Sequence, residues 1–169
     1  FPTRRSSDLR LNKLKDIQTI DVKSFLSKQY VEDGAVSKRL IKKNIFCSIT
    51  GDSFPIQASP GNMIVIFDNL VINAEYWLDK DDIKDRRIYF HCISPNTIQV
   101  WDSGAGIAKE IENTLFEPFQ TMKRDGRGLG LYIVQELLSL MNASIELMQE
   151  RNSIGNRYKF QISFQESTS

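Results

Sequence analysis

The stretch FDNLVINAEYW, residues 67–77, carries an uninterrupted helical pattern and decides the fold. Its apolar residues follow i, i+4, i+7 spacing and predict a helix from Met63 to about Leu78. Asn69 and Asn73 are four residues apart, so their amides lie about one turn apart on a common face. They are either solvated or shared by one ligand. A buried amide without a partner costs roughly 1–3 kcal/mol, and their apolar neighbours therefore favour a shared ligand.

A second feature is WDSGAGI, residues 101–107, where a predicted strand ends in the carboxylate of Asp102. Gly104 and Gly106 allow a tight turn and a close approach of the backbone to a ligand. A carboxylate acceptor next to backbone that a ligand can approach closely suits the amino group of a purine. The same sequence is also typical of an ordinary turn after a strand, so this motif gains weight only from its position downstream of the two asparagines.

A third feature is GRGLGL, residues 126–131, which leads directly into a predicted helix. Such a segment offers free backbone N–H groups and the positive end of a helix dipole to phosphates. It lacks the Gly-Lys-Ser/Thr ending of a Walker loop, and it does not follow the first strand of a βαβ unit as a dinucleotide fingerprint would. It therefore predicts a different kind of phosphate site.

The remaining segments alternate between helix-like and strand-like patterns without repeats. Asp21 is a candidate N-cap for a helix that starts near Val22 and ends before Gly34, and another helix is predicted from about Leu129 to Met141. Alternating and β-branched runs bounded by turn residues predict the strands. These are Leu40–Thr50, Pro55–Ala58, Arg87–Ser94, Thr97–Trp101, Ser144–Met148 and Arg157–Phe164.

Composition limits the class of function. The 169 residues include 22 basic and 21 acidic side chains, a net charge of +1, so no strong field attracts nucleic acid or an anionic membrane. Cys47 and Cys92 lie in apolar runs, which favours free thiols and a cytoplasmic location. No apolar stretch approaches the roughly 20 residues that span a bilayer. We expect no membrane contact by this domain, although the full-length protein could be membrane-anchored.

The first residues are treated separately. FPTRRSSDL, residues 1–9, looks like a sequencing adapter translated as protein, and we exclude it from the fold. We assign residues 10–19 to the end of an upstream linker or helix, residues 20–165 to one domain and residues 166–169 to a tail. The native N-terminus would then lie upstream of this sequence.

Four segments in order resemble the boxes of one family. FDNLVINA looks like the N box, WDSGAGI the first glycine box, LFEPF the F box and GRGLGL the second glycine box. Their order and spacing resemble the ATP-binding domain of sensor histidine kinases, within the ATPase group (GHKL, Bergerat fold) shared with DNA gyrase, heat-shock chaperones and mismatch-repair ATPases. The resemblance implies an α/β fold: a two-layer α/β sandwich whose mixed sheet has helices on one face and an ATP lid.

The resemblance also implies roles for individual residues. Asp102 would accept the adenine amino group, and Asn73 would ligate Mg²⁺ that bridges the phosphates, assisted by Asn69. Residues 119–126 would form the ATP lid, in which single basic side chains could equally be solvated. The implied ATP-binding residues are Asn69, Asn73, Tyr76, Asp102, Gly104, Gly106, Ile107, Phe119, Thr121, Lys123, Arg127, Gly128, Leu129, Gly130 and Leu131, with Arg124 as a further candidate for the γ-phosphate.

The family includes kinases and hydrolases, and one position separates them. Hydrolysing relatives usually have a Glu general base where this chain has Asn69. Asp68 is about 100° around the helix and cannot replace it. The resemblance therefore implies in-line transfer of the γ-phosphoryl of Mg·ATP to a histidine on a separate dimerisation domain, with a response regulator in the full system. We interpret His91, the only histidine, as structural.

Two alternatives remain open: a GHKL-type ATPase, and a nucleotide-sensing module without histidine phosphotransfer. The chain departs from the family at two places that bear on them. Histidine kinases usually have Lys or Arg three residues after the N-box Asn, where this chain has Tyr76. The last strand usually begins with a Gly-Thr pair, where this chain has Gly155-Asn156.

Overall fold

The computed structural model describes residues 16–80, 82–119 and 128–166. Helices and strands alternate along them, with a short 3-10 helix at Lys109–Ile111. In chain order the elements are β1 (Gln18–Asp21), α1 (Val22–Tyr30), α2 (Ala35–Lys42), β2 (Ile45–Gly51), β3 (Pro55–Ala58), α3 (Pro60–Lys80), β4 (Arg86–Ile93), β5 (Thr97–Asp102), α4 (Gly130–Leu140), β6 (Ala143–Leu147) and β7 (Phe160–Phe164).

Five strands form one mixed sheet in the order β2-β4-β5-β7-β6. The pair β2–β4 is parallel, and the other neighbours are antiparallel. The strands predicted at Arg87–Ser94 and Thr97–Trp101 form a hairpin of β4 and β5 that turns at Pro95-Asn96, with Ile93 opposite Thr97. Strands β1 and β3 form a separate antiparallel pair. The predicted mixed sheet is confirmed.

The helices cover one face of this sheet. Along β4, Ile88 and Phe90 are buried while Tyr89 and His91 are part-exposed, because successive side chains of a strand point to opposite faces. Phe90 stacks on Tyr30 of α1 at 5.6 Å between ring centroids and meets the ring of Phe67 of α3 edge-on at 6.0 Å. These contacts confirm the predicted two-layer sandwich.

The stripe predicted for α3 is buried except at its C-terminal end. Met63, Phe67, Leu70 and Ala74 are buried in the core, whereas Trp77, the last residue of the predicted stripe, is half-buried. The helix extends beyond the predicted limits at both ends, because Pro is tolerated in a first turn and the charged C-terminal turn has no apolar signal to read. Among the described residues no helix is both long and apolar enough to cross a membrane.

The predicted cap at Asp21 is confirmed. Its carboxylate accepts a hydrogen bond from the backbone N–H of Ser24 at 2.9 Å. Hydrogen bonds from Ser53 and Ser24 lower the pKa of Asp21, which keeps the cap ionised. The helix that follows begins at Val22, as predicted.

Three boundaries differ from the sequence predictions. The strand predicted from Leu40 is wrong at its start, because Leu40 is a buried residue of α2 and β2 begins at Ile45. Gln18 and Thr19, assigned to the upstream linker, belong to β1 and pair with β3. The last strand begins at Phe160, since residues 151–157 form a loop closed by a bridge between Arg151 and Arg157.

A buried carboxylate ties α2 to α3. Glu75 is 7% exposed and pairs with Arg39 and Lys43, each at 3.0 Å. Lys43 also contacts Asp79 at 2.8 Å, and Arg86 contacts the same carboxylate at 3.0 Å. The hydrogen bond from Lys43 lowers the pKa of Asp79. Breaking a buried ion pair by removing one partner is strongly destabilising, so this network fixes the helix that carries the two asparagines.

Candidate functional site

The two asparagines of α3 lie on its part-exposed side. Asn69 and Asn73 are both half-buried, and the side-chain amide of Asn69 donates to the backbone oxygen of Val65 at 2.8 Å. The expectation that buried, unpartnered amides demand a ligand is therefore wrong for Asn69, because the helix places its carbonyl acceptor one turn back within reach. The Oδ1 atom of Asn69 remains directed away from this bond.

The neighbouring acidic residue points elsewhere. Asp68 accepts a hydrogen bond from the hydroxyl of Tyr30 at 2.8 Å, on the side of α3 that faces α1. Burial raises the pKa of Tyr30, so the phenol stays protonated and keeps donating. The carboxylate of Asp68 is thus held about a quarter-turn away from the position of Asn69, as the helical spacing predicts.

Asp102 lies at the end of β5 on the helix-covered side of the sheet. Ile98 and Val100 are buried on that side, and Asp102 follows them in the same alternation, opposite Ile88 of β4. Its Oδ1 atom accepts a hydrogen bond from the backbone N–H of Gly104 at 2.8 Å. The carboxylate is therefore oriented by the turn that follows it.

Ser103 anchors the same turn to β4. Its hydroxyl donates to the backbone oxygen of Asp85 at 2.6 Å and accepts from the backbone N–H of Arg87 at 2.8 Å. The backbone N–H of Ser103 also donates to Arg87 at 3.0 Å. We call residues 102–107 the first glycine turn. Sequence reasoning missed Ser103, because a serine after a strand is also an ordinary turn residue.

A loop between β6 and β7 holds the other side of the first glycine turn. Asn152 and Asn156 each donate a side-chain hydrogen bond to the backbone oxygen of Ala105 at 2.9 Å. The backbone N–H of Ile107 donates to Arg157 at 2.8 Å, and Ile107 packs against the core. We call residues 151–157 the clamp loop; its role was not predicted, since its partners lie far away in sequence.

The described part of the second glycine segment, residues 126–131, meets α3. A Cβ atom at Gly130 would lie 3.1 Å from the Oδ1 atom of Asn69, tighter than ordinary van der Waals contact. The helix α4 begins at this glycine and packs along α3. Gly128, Leu129 and Leu131 are half-buried beside it. Two segments that the sequence predicted to share a ligand are therefore adjacent.

Phe119, the first residue of the predicted lid, contacts a residue that follows the lid in the chain. The backbone N–H of Phe119 donates to Gly128 at 2.9 Å, and the side chain of Phe119 is 75% exposed. The predicted lid residues Thr121, Lys123 and Arg127, together with Arg124, lie outside the described residues.

Tyr76 is half-buried on α3 and lies about 20° around the helix axis from Asn69 by ordinary helix geometry. Its ring meets Trp77 edge-on at 5.0 Å. The ammonium of Lys80 lies 5.7 Å from the Tyr76 ring centroid and 5.4 Å from that of Trp77. The Lys80 ammonium thus lies close to position 76, where this chain has Tyr in place of the Lys or Arg that is usual in the family.

An open cleft of about 520 Å³ lies behind the first glycine turn. Tyr89 and Trp101 contribute a stacked pair of rings, 5.1 Å apart, from the face of the sheet that the helices leave uncovered. The clamp loop lines the opposite wall with Asn152 and Ile154. Neither α3 nor α4 lines this cleft, but Asp102, Ser103, Gly104 and Ala105 of the first glycine turn do.

The histidine and the cysteines occupy opposite faces of the sheet. His91 shares a hydrogen bond with the hydroxyl of Thr50 at 2.8 Å on the uncovered face, whereas Cys92 is buried beneath the helices. Burial raises the pKa of Cys47 to about 12 and that of Cys92 to about 11, which keeps both thiols protonated. Among the described residues, no cluster of His, Cys, Asp and Glu has the arrangement of a metal site.

Curated sensor proteins are similar to part of the chain. The sensor histidine kinase ZraS of Salmonella typhimurium strain LT2 is 32% identical over 92 residues, which cover 54% of this chain and 20% of ZraS. The C4-dicarboxylate transport sensor protein DctB of Rhizobium meliloti strain 1021 is 46% identical over 50 residues, covering 30% of this chain and 8% of DctB. The matched part of the chain thus spans about a fifth of the length of ZraS and less than a tenth of the length of DctB.

Solved structures share the fold at low sequence identity. The mycobacterial sensor histidine kinase MprB superposes with a TM-score of 0.67 at 16% identity, covering 88% of this chain and 96% of that one. The catalytic domain of the histidine kinase ThkA gives a TM-score of 0.67 at 21% identity, covering 88% and 94%. The α/β sandwich is therefore the fold of these catalytic domains.

The family match covers the asparagine helix and both glycine-containing segments. The description histidine kinase-, DNA gyrase B-, and HSP90-like ATPase applies to residues 61–167 of this chain. The resemblance to the ATP-binding domain of sensor histidine kinases, inferred from the four boxes, is confirmed. The chain belongs to the family of histidine kinase-, DNA gyrase B- and HSP90-like ATPases.

Proposed function

We propose that this domain binds Mg·ATP between α3, the first glycine turn and the start of α4, and that it donates the γ-phosphoryl group to a histidine on a separate dimerisation domain. The contact between Asn69 and Gly130 carries this proposal, because it joins two segments some 60 residues apart whose chemistry suits phosphate and metal. Asp102 lies on the same side of the sheet with its carboxylate oriented by Gly104.

Each part of the site has a distinct role in this proposal. Asp102 accepts a hydrogen bond from the adenine amino group, and Ile107 and Leu131 contact the base. Asn73 ligates Mg²⁺, an ion that prefers oxygen ligands such as the amide oxygen of Asn, and Asn69 orients the phosphates. The N–H groups at the start of α4 bind phosphate oxygens. Tyr76, Phe119, Thr121, Lys123 and Arg127 are proposed to complete the nucleotide contacts.

We propose transfer of the γ-phosphoryl group rather than hydrolysis of ATP because of the side chains around position 69. Activation of water needs a general base within hydrogen-bond reach of the γ-phosphate, and an amide cannot accept a proton in this way. Asp68, the neighbouring carboxylate, is engaged by the buried hydroxyl of Tyr30. Positioning and electrostatics then remain as the contributions of this domain.

The wider assignment follows from the same proposal. The acceptor histidine would belong to the same or a partner chain, and a response regulator would receive the phosphoryl group next. We place the domain in the cytoplasm, as one similar structure is the cytoplasmic segment of the histidine kinase QseC. The balanced charge supports a domain that contacts neither nucleic acid nor a membrane surface.

The test has two steps. Calorimetry should show binding of one Mg·ATP per domain, weakened when EDTA removes the metal. The gene should then be extended upstream, and the longer protein incubated with γ-labelled ATP. Acid-labile, base-stable phosphoprotein supports transfer to histidine, whereas steady release of inorganic phosphate without it favours an ATPase. Binding without either product favours a nucleotide-sensing module.

A further inference from the structure

The clamp loop uses both acceptor positions of a single carbonyl. The side-chain amides of Asn152 and Asn156 each donate to the backbone oxygen of Ala105 at 2.9 Å. A carbonyl oxygen has two lone pairs, so the two amides account for its hydrogen-bonding capacity. Ala105 lies at the centre of the first glycine turn, three residues after Asp102. The clamp loop therefore fixes the middle of this turn through two side-chain hydrogen bonds.

The clamp loop also contains hydrogen bonds of its own, separate from those to the turn. The Oδ1 atom of Asn152 accepts from the backbone N–H groups of Ile154 at 3.2 Å and Asn156 at 3.0 Å. The backbone N–H of Asn152 donates to Asn156 at 2.8 Å, and that of Gly155 donates to Asn152 at 2.9 Å. Because the Asn152 amide and the backbone at Asn156 are already oriented, holding Ala105 costs less additional conformational entropy than it would from an open loop.

Gly106 shows how closely the two loops fit. Its φ of +84° lies in the left-handed region, which side chains rarely adopt. A Cβ atom there would lie 2.9 Å from the backbone oxygen of Arg157 and 3.0 Å from both the Nδ2 atom of Asn152 and the Cβ atom of Asn156. No side chain fits between the turn and the clamp loop, so a shift of one must move the other.

An ion pair fastens the outer end of the same contact. Arg151 contacts the carboxylate of Glu112 with two guanidinium nitrogens, at 2.8 and 3.3 Å, and donates to the backbone oxygen of Gly155 at 2.9 Å. Glu112 follows the 3-10 helix at Lys109–Ile111. The hydrogen bond from Arg151 lowers the pKa of Glu112. The clamp loop thereby contacts the chain both within and beyond the first glycine turn.

We propose that Asn152 and Asn156 are positioning residues that set the selectivity of the site for adenine. They fix Ala105, and the backbone between Ala105 and Asp102 includes the Gly104 N–H that orients the Asp102 carboxylate. Displacement of Ala105 would turn that carboxylate away from the exocyclic amine of the base. The inference rests on the proposed ATP site and adds the residues that give this site its preference for adenine over guanine.

The experiment compares asparagines that make the same kind of bond. Asn156→Ala and the double variant Asn152→Ala/Asn156→Ala remove amides from the clamp loop. Asn96→Ala is the matched control, because the Asn96 amide donates to the backbone oxygen of Phe164 at 2.8 Å at the far end of the sheet. Dissociation constants for Mg·ATP and Mg·GTP are measured by calorimetry, together with the melting temperature of each protein.

Asn156→Ala should weaken Mg·ATP binding roughly fivefold and the double variant roughly twentyfold or more, with a smaller change for Mg·GTP. Asn96→Ala should lower the melting temperature without changing either constant. If the double variant fails to fold, Asn156→Asp retains the size of the side chain, removes its donors and should weaken Mg·ATP binding by a similar factor to Asn156→Ala.

Two outcomes overturn the inference. Equal loss of ATP and GTP affinity in the clamp variants would show a general structural role, and unchanged ATP affinity would show no role at all. The proposed function is tested separately, by the wild-type protein and by Asp102→Asn. Failure of the wild type to bind Mg·ATP would reject that function, whereas normal binding that is insensitive to Asn156 would reject only the positioning role.

Discussion

The two glycine-containing segments of the site are built in opposite ways. In the first glycine turn, the protein itself supplies the hydrogen bonds of Gly104 and Ile107 and those accepted by Ala105. In the described part of the second glycine segment, α4 begins at Gly130 without a side chain capping its first turn. Uncapped helix N–H groups are donors that water or a ligand must satisfy. The proposed base side is therefore preformed, whereas the proposed phosphate side has donors that are open to a nucleotide.

This difference indicates which segment should determine base specificity and which should contribute binding energy for any nucleotide. A turn held by fixed hydrogen bonds discriminates between bases, because a wrong base leaves its polar groups unpaired. A helix N-terminus binds any phosphate group and discriminates little between bases. Mutations in the first segment should thus change which nucleotide binds, and mutations in the second should change how tightly any nucleotide binds.

The largest effect is expected for Asp102→Asn. The substitution replaces the charged acceptor for the adenine amine, and we expect Mg·ATP affinity to fall about tenfold to a hundredfold. Asp85→Asn is the matched control, since the Asp85 carboxylate pairs with Arg87 at the surface. Calorimetry on the three proteins checks the result. Equal affinity of wild type and Asp102→Asn would refute the assignment of the adenine anchor.

Asn73→Ala should remove the metal-dependent part of the affinity. In the presence of Mg²⁺ we expect roughly tenfold weaker ATP binding, and in EDTA no difference from wild type, because the lost interaction is a metal ligand. Asn62→Ala, a half-buried asparagine in the first turn of the same helix, serves as control. A loss of equal size with and without metal would show that Asn73 contacts the nucleotide rather than Mg²⁺.

Gly130→Ala should disturb the phosphate side alone. The added methyl group would lie 3.1 Å from the Oδ1 atom of Asn69, and we expect about threefold to tenfold weaker binding of ATP and GTP alike. Gly61→Ala is the control, because its Cβ would meet only Ser59 Oγ at 3.7 Å in the first turn of α3. A selective loss of ATP over GTP would contradict the division between the two segments.

The smallest effect on the site is expected for Tyr30→Phe. Loss of the hydroxyl bond to Asp68 should lower the free energy of unfolding by about 1 kcal/mol, measured by urea denaturation. ATP affinity should not change, since Asp68 accepts the Tyr30 hydroxyl on the side of α3 that faces α1, away from the proposed nucleotide site. Tyr89→Phe provides a control on the uncovered face of the sheet. A large change in ATP affinity with Tyr30→Phe would place Asp68 in the site.

Strong local patterns made the main helix and the central hairpin predictable. The apolar stripe of α3 has enough turns to exclude a strand, and β4 and β5 alternate clearly around Pro95-Asn96. The short elements were not predictable in this way. Leu40 lies near the C-terminal end of α2, an eight-residue helix that buries only Ser37 and Leu40. The apolar residues at that end of the helix therefore resemble the start of a strand. In β1, Ile20 is the only buried residue.

The placement of the candidate site residues was predictable where a motif is local and not where partners are distant. Asn69 and Asn73 share a helix face, and Asp102 ends a strand beside two glycines, so their spacing in sequence is also their arrangement in space. Asn152 and Asn156 contact Ala105 from 47 and 51 residues away. Asparagines near a glycine are typical of any turn, and only the fold shows what they hold.

The most direct test of a preformed base side and an open phosphate side follows backbone amides by NMR during titration. Adenosine should shift the resonances of the first glycine turn, residues 102–107, and leave Gly130 and Leu131 nearly unchanged. A non-hydrolysable ATP analogue with Mg²⁺ should shift both segments. Equal shifts of both segments with adenosine alone, or no shift in residues 102–107 with either ligand, would contradict the proposed site.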